Sequence, residues 1–184
     1  MKSIVKNKII EIKREFEENH HKFLGEEDIR CHLFSKLLDE FNNLETTEDG
    51  KQTISLHAQI SFKSPNNDLK TGEKPDILII DVPSTNLYTD KGIKPQFMLS
   101  KGFQFRKAPI GIEIKLSWKK GIKAIKNQIS KEVEKIKNLQ ERNSEMFFYF
   151  IYFDKNGRLT ETDINSLNGN LKDIEIIYCR KRIQ

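Results

Sequence analysis

Three segments of the chain carry apolar residues at the three- and four-residue spacing of amphipathic helices. The first covers residues 3–20. The second, GEEDIRCHLFSKLLDEF, begins at Gly25, and its acidic first turn complements the positive end of a helix dipole. The third is KKGIKAIKNQISKEVEKIKNLQ, residues 119–140. We therefore expect two helices near the amino terminus and one long helix in the second half.

Other segments show the patterns of strands. In TISLHAQISF, residues 53–62, apolar and polar residues alternate, which predicts a strand with one buried face. The runs PDILIIDV (75–82) and APIGIEIKLSW (108–118) are continuously apolar with β-branched residues, and they predict strands covered on two sides. MFFYFIYF (146–153) predicts a further buried strand, and DIEIIYC (173–179) a last one.

The order of these elements indicates an α/β fold. Two helices precede three strands, and a helix then connects two further strands, which favours a right-handed crossover. The connection at 83–102 has the composition of a loop or a protruding hairpin. A chain of 184 residues suits one domain. Within it we place the amino-terminal helices at 1–43, the core at 53–153, and the final strand with a basic tail at 172–184.

Composition limits the classes of protein to consider. The net charge of +5 and the pI near 9.1 suit a polyanionic partner without demanding one. Cys31 and Cys179 have no CxxC partner, so neither a disulfide framework nor a cysteine zinc site is indicated. Residues 1–12 never assemble the apolar run of a signal peptide or a membrane span, so we expect a cytoplasmic protein without a membrane partner.

The strand predicted at 108–118 carries two charged side chains on one face. Ile112, Ile114 and Leu116 share one face, whereas Glu113 and Lys115 share the other, because side chains alternate along a strand. Taking such charges out of water costs on the order of several kcal/mol per ion. Either a structural ion pair or a functional site would compensate for that cost.

A second acid favours the functional interpretation. Asp76 follows Pro75 at the start of a neighbouring predicted strand, where it would place another carboxylate near Glu113 at the same end of the sheet. Two carboxylates and the backbone carbonyl of Ile114 form an oxygen-rich site of the kind that Mg²⁺ or Mn²⁺ prefers. The alternative is that Asp76 caps a turn.

The segments KPDILII and IGIEIKL, taken together, resemble the paired signature of the PD-(D/E)xK nuclease superfamily. Pro75-Asp76 matches its first part, and Glu113-Ile114-Lys115 matches its second part. Both parts fall on predicted strands with helices before and after them. The resemblance implies a restriction-endonuclease-like core, in which a central mixed β-sheet is flanked by helices, here with an amino-terminal helical pair.

The resemblance extends loosely over residues 25–153 and implies hydrolysis of a phosphodiester. Asp76, Glu113 and the Ile114 carbonyl would hold Mg²⁺ (or Mn²⁺), which polarises a phosphoryl oxygen. Lys115 would stabilise the developing negative charge or orient the attacking hydroxide.

Members of the superfamily often carry a further acid on the helix before the sheet, and GEEDIR offers three candidates. Glu26 lies three residues before Ile29 and seven before Leu33, so it continues the inward stripe. Glu27 and Asp28 turn more toward solvent. We expect Glu26 to be an auxiliary catalytic residue that binds metal or water, although all three acids would also favour the helix dipole.

The helix after the second signature offers candidates for nucleic-acid binding. Some superfamily members place a Gln there near the site, which points to Gln128, although an exposed helix Gln needs no explanation. Trp118 would either stack on a base or fill the core. Four lysines within eight acid-free residues would neutralise phosphates or form an ordinary solvated face. They are Lys119, Lys120, Lys123 and Lys126.

We therefore expect a metal-dependent nuclease whose partner is nucleic acid, with DNA as the expected substrate. A homodimer would suit the cutting of two strands, although the sequence leaves the oligomeric state open. One alternative is a nucleic-acid-binding or assembly subunit that kept the fold and lost catalysis. Another is a structural α/β domain in which the signature residues form a salt-bridge network.

Overall fold

The computed structural model describes residues 1–59, 74–87, 103–105, 109–142, 146–168 and 171–181. These residues form four α-helices: α1 (Lys2–Glu18), α2 (Glu26–Phe41), α3 (Ile122–Arg142) and α4 (Glu161–Asn168). Short 3-10 turns lie at His20–Lys22 and Val82–Ser84. The strands are β1 (Glu45–Thr46), β2 (Gln52–Thr53), β3 (Leu56–Ala58), β4 (Ile77–Ile79), β5 (Thr85–Leu87), β6 (Phe103–Phe105), β7 (Ile110–Ser117), β8 (Phe147–Asp154) and β9 (Ile174–Arg180).

Five of these strands form one mixed sheet in the order β3-β4-β7-β8-β9. The β3/β4 and β4/β7 pairs are antiparallel, whereas β7/β8 and β8/β9 are parallel. Helix α3 connects the parallel strands β7 and β8, as the alternation of strand and helix patterns predicted. The expectation of a mixed α/β fold with helices around a central sheet is confirmed.

Helices cover both faces of this sheet. On one face, α1 and α2 place residues such as Leu33 in the same buried cluster as Ile112 of β7. On the other face, Ile129 of α3 packs in a cluster with Phe150 of β8. Residues 110–114 are all buried, so β7 is covered on both sides, as its apolar run predicted. A charged side chain on this strand therefore lies between a sheet and a helix.

The β7/β8 pair is packed closely enough to require a glycine. A Cβ atom added to Gly111 would lie 2.3 Å from the ring of Phe148, which is fully buried. The missing side chain makes room for this ring on the α3 face of the sheet. Gly111 therefore helps to set the packing two residues before Glu113.

The strand predicted at 53–62 is shorter than expected. Thr53 belongs to β2, and β3 pairs with β4 over three residues only. The Gln59 backbone has a positive φ of 49°, which ends the extended conformation. Ala58 is exposed, so it does not join the predicted buried face. Ile60 and Phe62 lie outside the described residues.

One further connection contains the antiparallel pair expected of a hairpin, and another contains a helix that was not predicted. At the predicted loop or hairpin of residues 83–102, β5 pairs antiparallel with β6, whose strand begins at Phe103, after the predicted limit. The residues between 88 and 102 lie outside the described part of the chain. The segment between the last two strands, for which no element was predicted, contains α4. Its apolar residues Ile164 and Leu167 pack against the cluster beneath α3.

Candidate active site on strands β4 and β7

The antiparallel register brings the two signature carboxylates together. Ile77 pairs with Ile112, so the next residues outward, Asp76 and Glu113, face each other on the α3 side of the sheet. The Ile114 N–H donates to Oδ2 of Asp76 at 2.8 Å, which fixes the Asp76 side chain against β7. Burial raises the pKa of Asp76 above its ordinary value, and the hydrogen bond from Ile114 opposes this increase.

Glu113 is the more deeply buried of the two acids. It is 5% exposed, and its Oε1 lies 2.5 Å from the Lys135 Nζ of α3. Its other oxygen, Oε2, has no hydrogen-bond partner among the described residues. Burial, followed by the charge of Asp76, raises the pKa of Glu113 to about 7, although Lys135 opposes this increase. The positive charge of Lys135 therefore compensates only part of the cost of burying the ionised Glu113 side chain.

Lys115 lies between two further carboxylates. Its Nζ is 3.2 Å from Oε2 of Glu26 and 3.8 Å from Oε1 of Glu132. Burial disfavours the ammonium ion, but these carboxylates outweigh that effect and raise the pKa of Lys115. Lys115 therefore stays cationic, in the same cluster as Glu113.

Among the three acids at the start of α2, Glu26 is the one that contacts β7. The Leu116 N–H donates to Oε2 of Glu26 at 3.1 Å, and the same oxygen contacts Lys115. Glu27 instead pairs with Arg30, and Asp28 accepts hydrogen bonds from the backbone N–H groups that precede the helix. The inward position of Glu26 agrees with its helical spacing. Its bond to Lys115 makes it a partner of that ammonium group.

Sequence reasoning missed three charged residues of this cluster. Arg30 of α2 lies 3.4 Å from Oδ1 of Asp76, and α3 contributes Glu132 and Lys135. A signal for them exists in the helical spacing. Arg30 follows Glu26 by four residues, and Glu132 and Lys135 continue the helix face of Gln128.

Gln128 lies in the interior contact between α3 and the sheet. Its Oε1 accepts hydrogen bonds from the Ser117 and Tyr152 hydroxyls, both at 2.9 Å. These bonds connect α3 to the carboxyl ends of β7 and β8. The structure therefore places Gln128 beside the candidate site, with its carbonyl oxygen engaged by the protein itself.

The basic residues predicted to contact phosphates divide into two groups. Lys119, Lys120 and Lys123 are exposed around the end of β7 and the start of α3. Lys126 instead forms an ion pair with Asp163 of α4 at 2.6 Å. Three of the four lysines therefore present their charge to solvent.

The oxygen atoms at the site provide some of the ligands that one hard divalent cation requires. No cluster of three or more His, Cys, Asp or Glu residues suited to a metal occurs within the described ranges. Mg²⁺ keeps several waters, however, and is usually held by one or two carboxylates together with substrate phosphates. Asp76, Glu113 and the Ile114 carbonyl satisfy that smaller requirement. The buried Glu113 oxygen without a partner is the atom that a cation would compensate.

Comparisons with protein-family models, with curated proteins and with solved structures find no match to this chain. The nuclease interpretation therefore depends on the residues described above. In the described part of the chain, every helix is too short or too polar to cross a membrane.

Proposed function

We propose that this protein is a metal-dependent nuclease that hydrolyses phosphodiester bonds in nucleic acid, with DNA as the expected substrate. The observation that carries this proposal is the pair of carboxylates that face each other across β4 and β7. Glu113 is buried, one of its oxygens has no hydrogen-bond partner among the described residues, and its pKa is raised to about 7. An arrangement that disfavours its own ionised form is typical of functional sites.

The proposed roles follow from the contacts of each residue. Asp76, Glu113 and the Ile114 carbonyl would hold Mg²⁺ or Mn²⁺, and the bound cation would supply positive charge next to the phosphoryl oxygens. The Ile114 N–H keeps Asp76 aligned with Glu113. Lys115 presents an ammonium group on the same face of β7 and would stabilise negative charge that develops in the transition state.

Glu26 and Glu132 would act through Lys115. Their carboxylates contact its Nζ and keep it cationic and oriented. Glu26 also accepts the Leu116 N–H, which ties the start of α2 to the strand that carries the signature. We therefore assign Glu26 as a positioning residue, in addition to the water or metal role expected from the resemblance.

The strongest competing interpretation is a structural ion-pair network. The 2.5 Å contact between Glu113 and Lys135 favours it, because the Lys135 ammonium group provides an ion-pair partner for one of the two buried oxygens of Glu113. This interpretation predicts that removing Glu113 destabilises the protein under all conditions, because Lys135 would lose its partner. The nuclease proposal predicts that removing the Glu113 charge stabilises the protein at alkaline pH without divalent ions.

The direct test is cleavage by the purified protein. Supercoiled plasmid, linear, single-stranded and branched DNA, and RNA are incubated with Mg²⁺, Mn²⁺ or EDTA. The Glu113→Ala protein is assayed in parallel, and Glu134→Gln serves as a control because Glu134 is an exposed acid on α3. We expect cleavage that requires a divalent ion, disappears in Glu113→Ala and persists in Glu134→Gln. If no substrate is cleaved and divalent ions do not raise the melting temperature, the proposal is wrong.

A further inference from the structure

We infer that Trp118 is a stacking site for an unpaired nucleobase of the substrate, at the end of the strand that carries the candidate active site. This inference depends on the proposed function, because it concerns how nucleic acid is held there. The sequence left two interpretations of Trp118 open, a base contact or a core residue. The structure excludes the core interpretation, since Trp118 is 62% exposed. The exposed indole is therefore available for contact with a ligand.

The indole ring is supported from within the protein. The Lys155 Nζ lies 4.0 Å from the ring centroid, in cation-π contact. Lys155 itself is only 5% exposed, and its Nζ donates to the Phe23 carbonyl at 2.5 Å. The ammonium group is therefore fixed against one part of the ring. The remaining ring surface faces solvent and is available for stacking.

The backbone on both sides of Trp118 is also fixed. The Lys155 N–H donates to the Ser117 carbonyl at 3.1 Å, and the Asn156 side chain donates to the Lys119 carbonyl at 3.1 Å. The Lys119 N–H in turn donates to the Ser117 hydroxyl. Because these bonds hold the neighbours of Trp118, a ligand would meet a pre-positioned ring and little ordering entropy would be lost on binding.

The surroundings favour nucleic acid over an apolar protein partner. Lys119 and Lys120 follow Trp118 directly and are exposed, and neither makes an ion pair among the described residues. A protruding aromatic ring combined with adjacent free cations is the combination used for single-stranded nucleic acid, in which lysines hold phosphates and the ring stacks on a base. A base within a duplex is already stacked on both sides, so the ring would select an unpaired base.

The distance along β7 between Glu113 and Trp118 can be spanned by a few nucleotides of one nucleic-acid strand. Trp118 follows Glu113 by five residues, which spans at most about 17 Å at the rise of a β-strand. With about 3.4 Å of rise per stacked nucleotide, this corresponds to at most about five nucleotides. The base on Trp118 would therefore lie a few nucleotides from the bond that is cut.

The experiment uses the fact that Trp118 is the only tryptophan of the chain. Its intrinsic fluorescence therefore reports on this site alone. A short oligothymidylate and a matched duplex are titrated into the full-length protein in EDTA, so that binding is measured without cleavage. We expect saturable quenching by the oligothymidylate and weaker quenching by the duplex. Absence of quenching by the single strand would overturn the inference.

Variants test whether the ring contributes to affinity. Binding of a labelled oligothymidylate is followed by fluorescence anisotropy for the native protein, Trp118→Ala, Trp118→Phe and Leu44→Ala. We expect Trp118→Ala to bind about 5- to 140-fold more weakly, the loss of one stacked base, and Trp118→Phe to recover part of it. Leu44 is the matched control, because it is 67% exposed but lies beyond the far end of α2 from Glu26. Equal affinity of Trp118→Ala and native protein would overturn the inference.

The two proposals fail in different ways. Metal-dependent cleavage that is lost in Glu113→Ala, combined with unchanged binding by Trp118→Ala, would refute the stacking site and keep the nuclease. Stacking without cleavage of any substrate would keep the binding site and refute the nuclease, which is the outcome expected for a non-catalytic nucleic-acid-binding subunit.

Discussion

The buried Glu113 carboxylate leads to a prediction about stability that does not require knowledge of the substrate. We expect the Glu113→Gln protein to be more stable than the native protein at about pH 8.5 in EDTA, and equally stable near pH 4.5. Gln has nearly the shape of a protonated Glu, so the substitution removes the ionisation and little else. The comparison therefore isolates the free energy of placing a charge at this position.

The magnitude follows from the pKa of Glu113, which is raised from 4.5 to about 7. The folded protein holds this proton more tightly than the unfolded chain does. The protonated group therefore contributes stability that is complete below pH 4.5 and is lost as the pH rises to about 7. At 1.36 kcal/mol per pKa unit, the loss is about 3 kcal/mol. Glu113 is 5% exposed, so solvent screening reduces this value little.

The assay is urea unfolding at a series of pH values between these limits, in EDTA. We expect the difference in unfolding free energy, Glu113→Gln minus native, to rise from near zero to about 3 kcal/mol, or about 6 to 12 °C in melting temperature for a chain of this size. Glu134→Gln, the exposed control on α3, should show no such rise. Taking the difference between two proteins cancels the titration of the shared groups that do not interact with Glu113.

Divalent ions should remove most of this difference. Mg²⁺ that binds the folded native protein at 100 times its Kd would stabilise it by about 2.7 kcal/mol, and Glu113→Gln should lose most of that gain. If Glu113→Gln is instead less stable than the native protein at about pH 8.5 in EDTA, the reasoning fails. In that case the contact with Lys135 is a net stabilising ion pair, and the structural network is the better interpretation.

Four other substitutions have definite expected outcomes. Asp76→Asn should lower the cleavage rate at least about 10²-fold, because it removes a carboxylate. It should not lower the melting temperature, because the Asn side chain keeps an oxygen that accepts the Ile114 N–H of β7. Lys115→Ala should lower kcat about 10²-fold while the rise in melting temperature caused by Mg²⁺ persists, and loss of that rise would contradict its assigned role. Gly111→Ala should destabilise the protein by about 1–3 kcal/mol in urea unfolding, because its Cβ would meet the Phe148 ring at 2.3 Å. Thr160→Val should cost about 1 kcal/mol in the same assay, since the Thr160 hydroxyl accepts an N–H in the first turn of α4.

The elements that the sequence predicted well are those with long apolar patterns. Helices α1, α2 and α3 and strands β7 and β8 bury one face or both faces over many residues, so packing and local pattern agree. The proximity of Asp76 and Glu113 was predictable for a related reason. Alternation fixes the face on which each side chain lies, and the antiparallel register then fixes which residues are opposite each other.

Helix α4 was missed because it spans only eight residues and buries few of them. A local signal exists in the capping box at its start, where Thr160 and Asp163 exchange hydrogen bonds with each other's backbone N–H. Missing α4 also affected the interpretation of Lys126. With α4 in place, Lys126 has a carboxylate partner in Asp163, which a sequence without that helix could not provide.

Other differences arise from contacts between residues that are distant in sequence. Lys135 lies 22 residues after Glu113, and Arg30 lies 46 residues before Asp76, so no local pattern connects either pair. The exposure of Trp118 has a similar origin. The apolar sequence of the predicted strand suggested that Trp118 is buried. However, β7 ends at Ser117, and Trp118 lies one residue beyond it. The end of a strand is decided by what packs over it.

The charges around Glu113 explain why a proton or a divalent cation would stabilise the site. The cluster that the structure describes contains five carboxylates and three cations: Asp76, Glu113, Glu26, Glu27, Glu132, Lys115, Lys135 and Arg30. With all of these groups ionised, two negative charges are therefore uncompensated in a chain whose net charge is +5. Burial raises the pKa of Glu113, and the negative charge of its neighbour Asp76 adds to the rise, because a proton on Glu113 removes one of these charges. A divalent cation would neutralise the cluster by the same electrostatic route, so proton and metal would compete for Glu113, and metal affinity should fall as the pH drops below about 7.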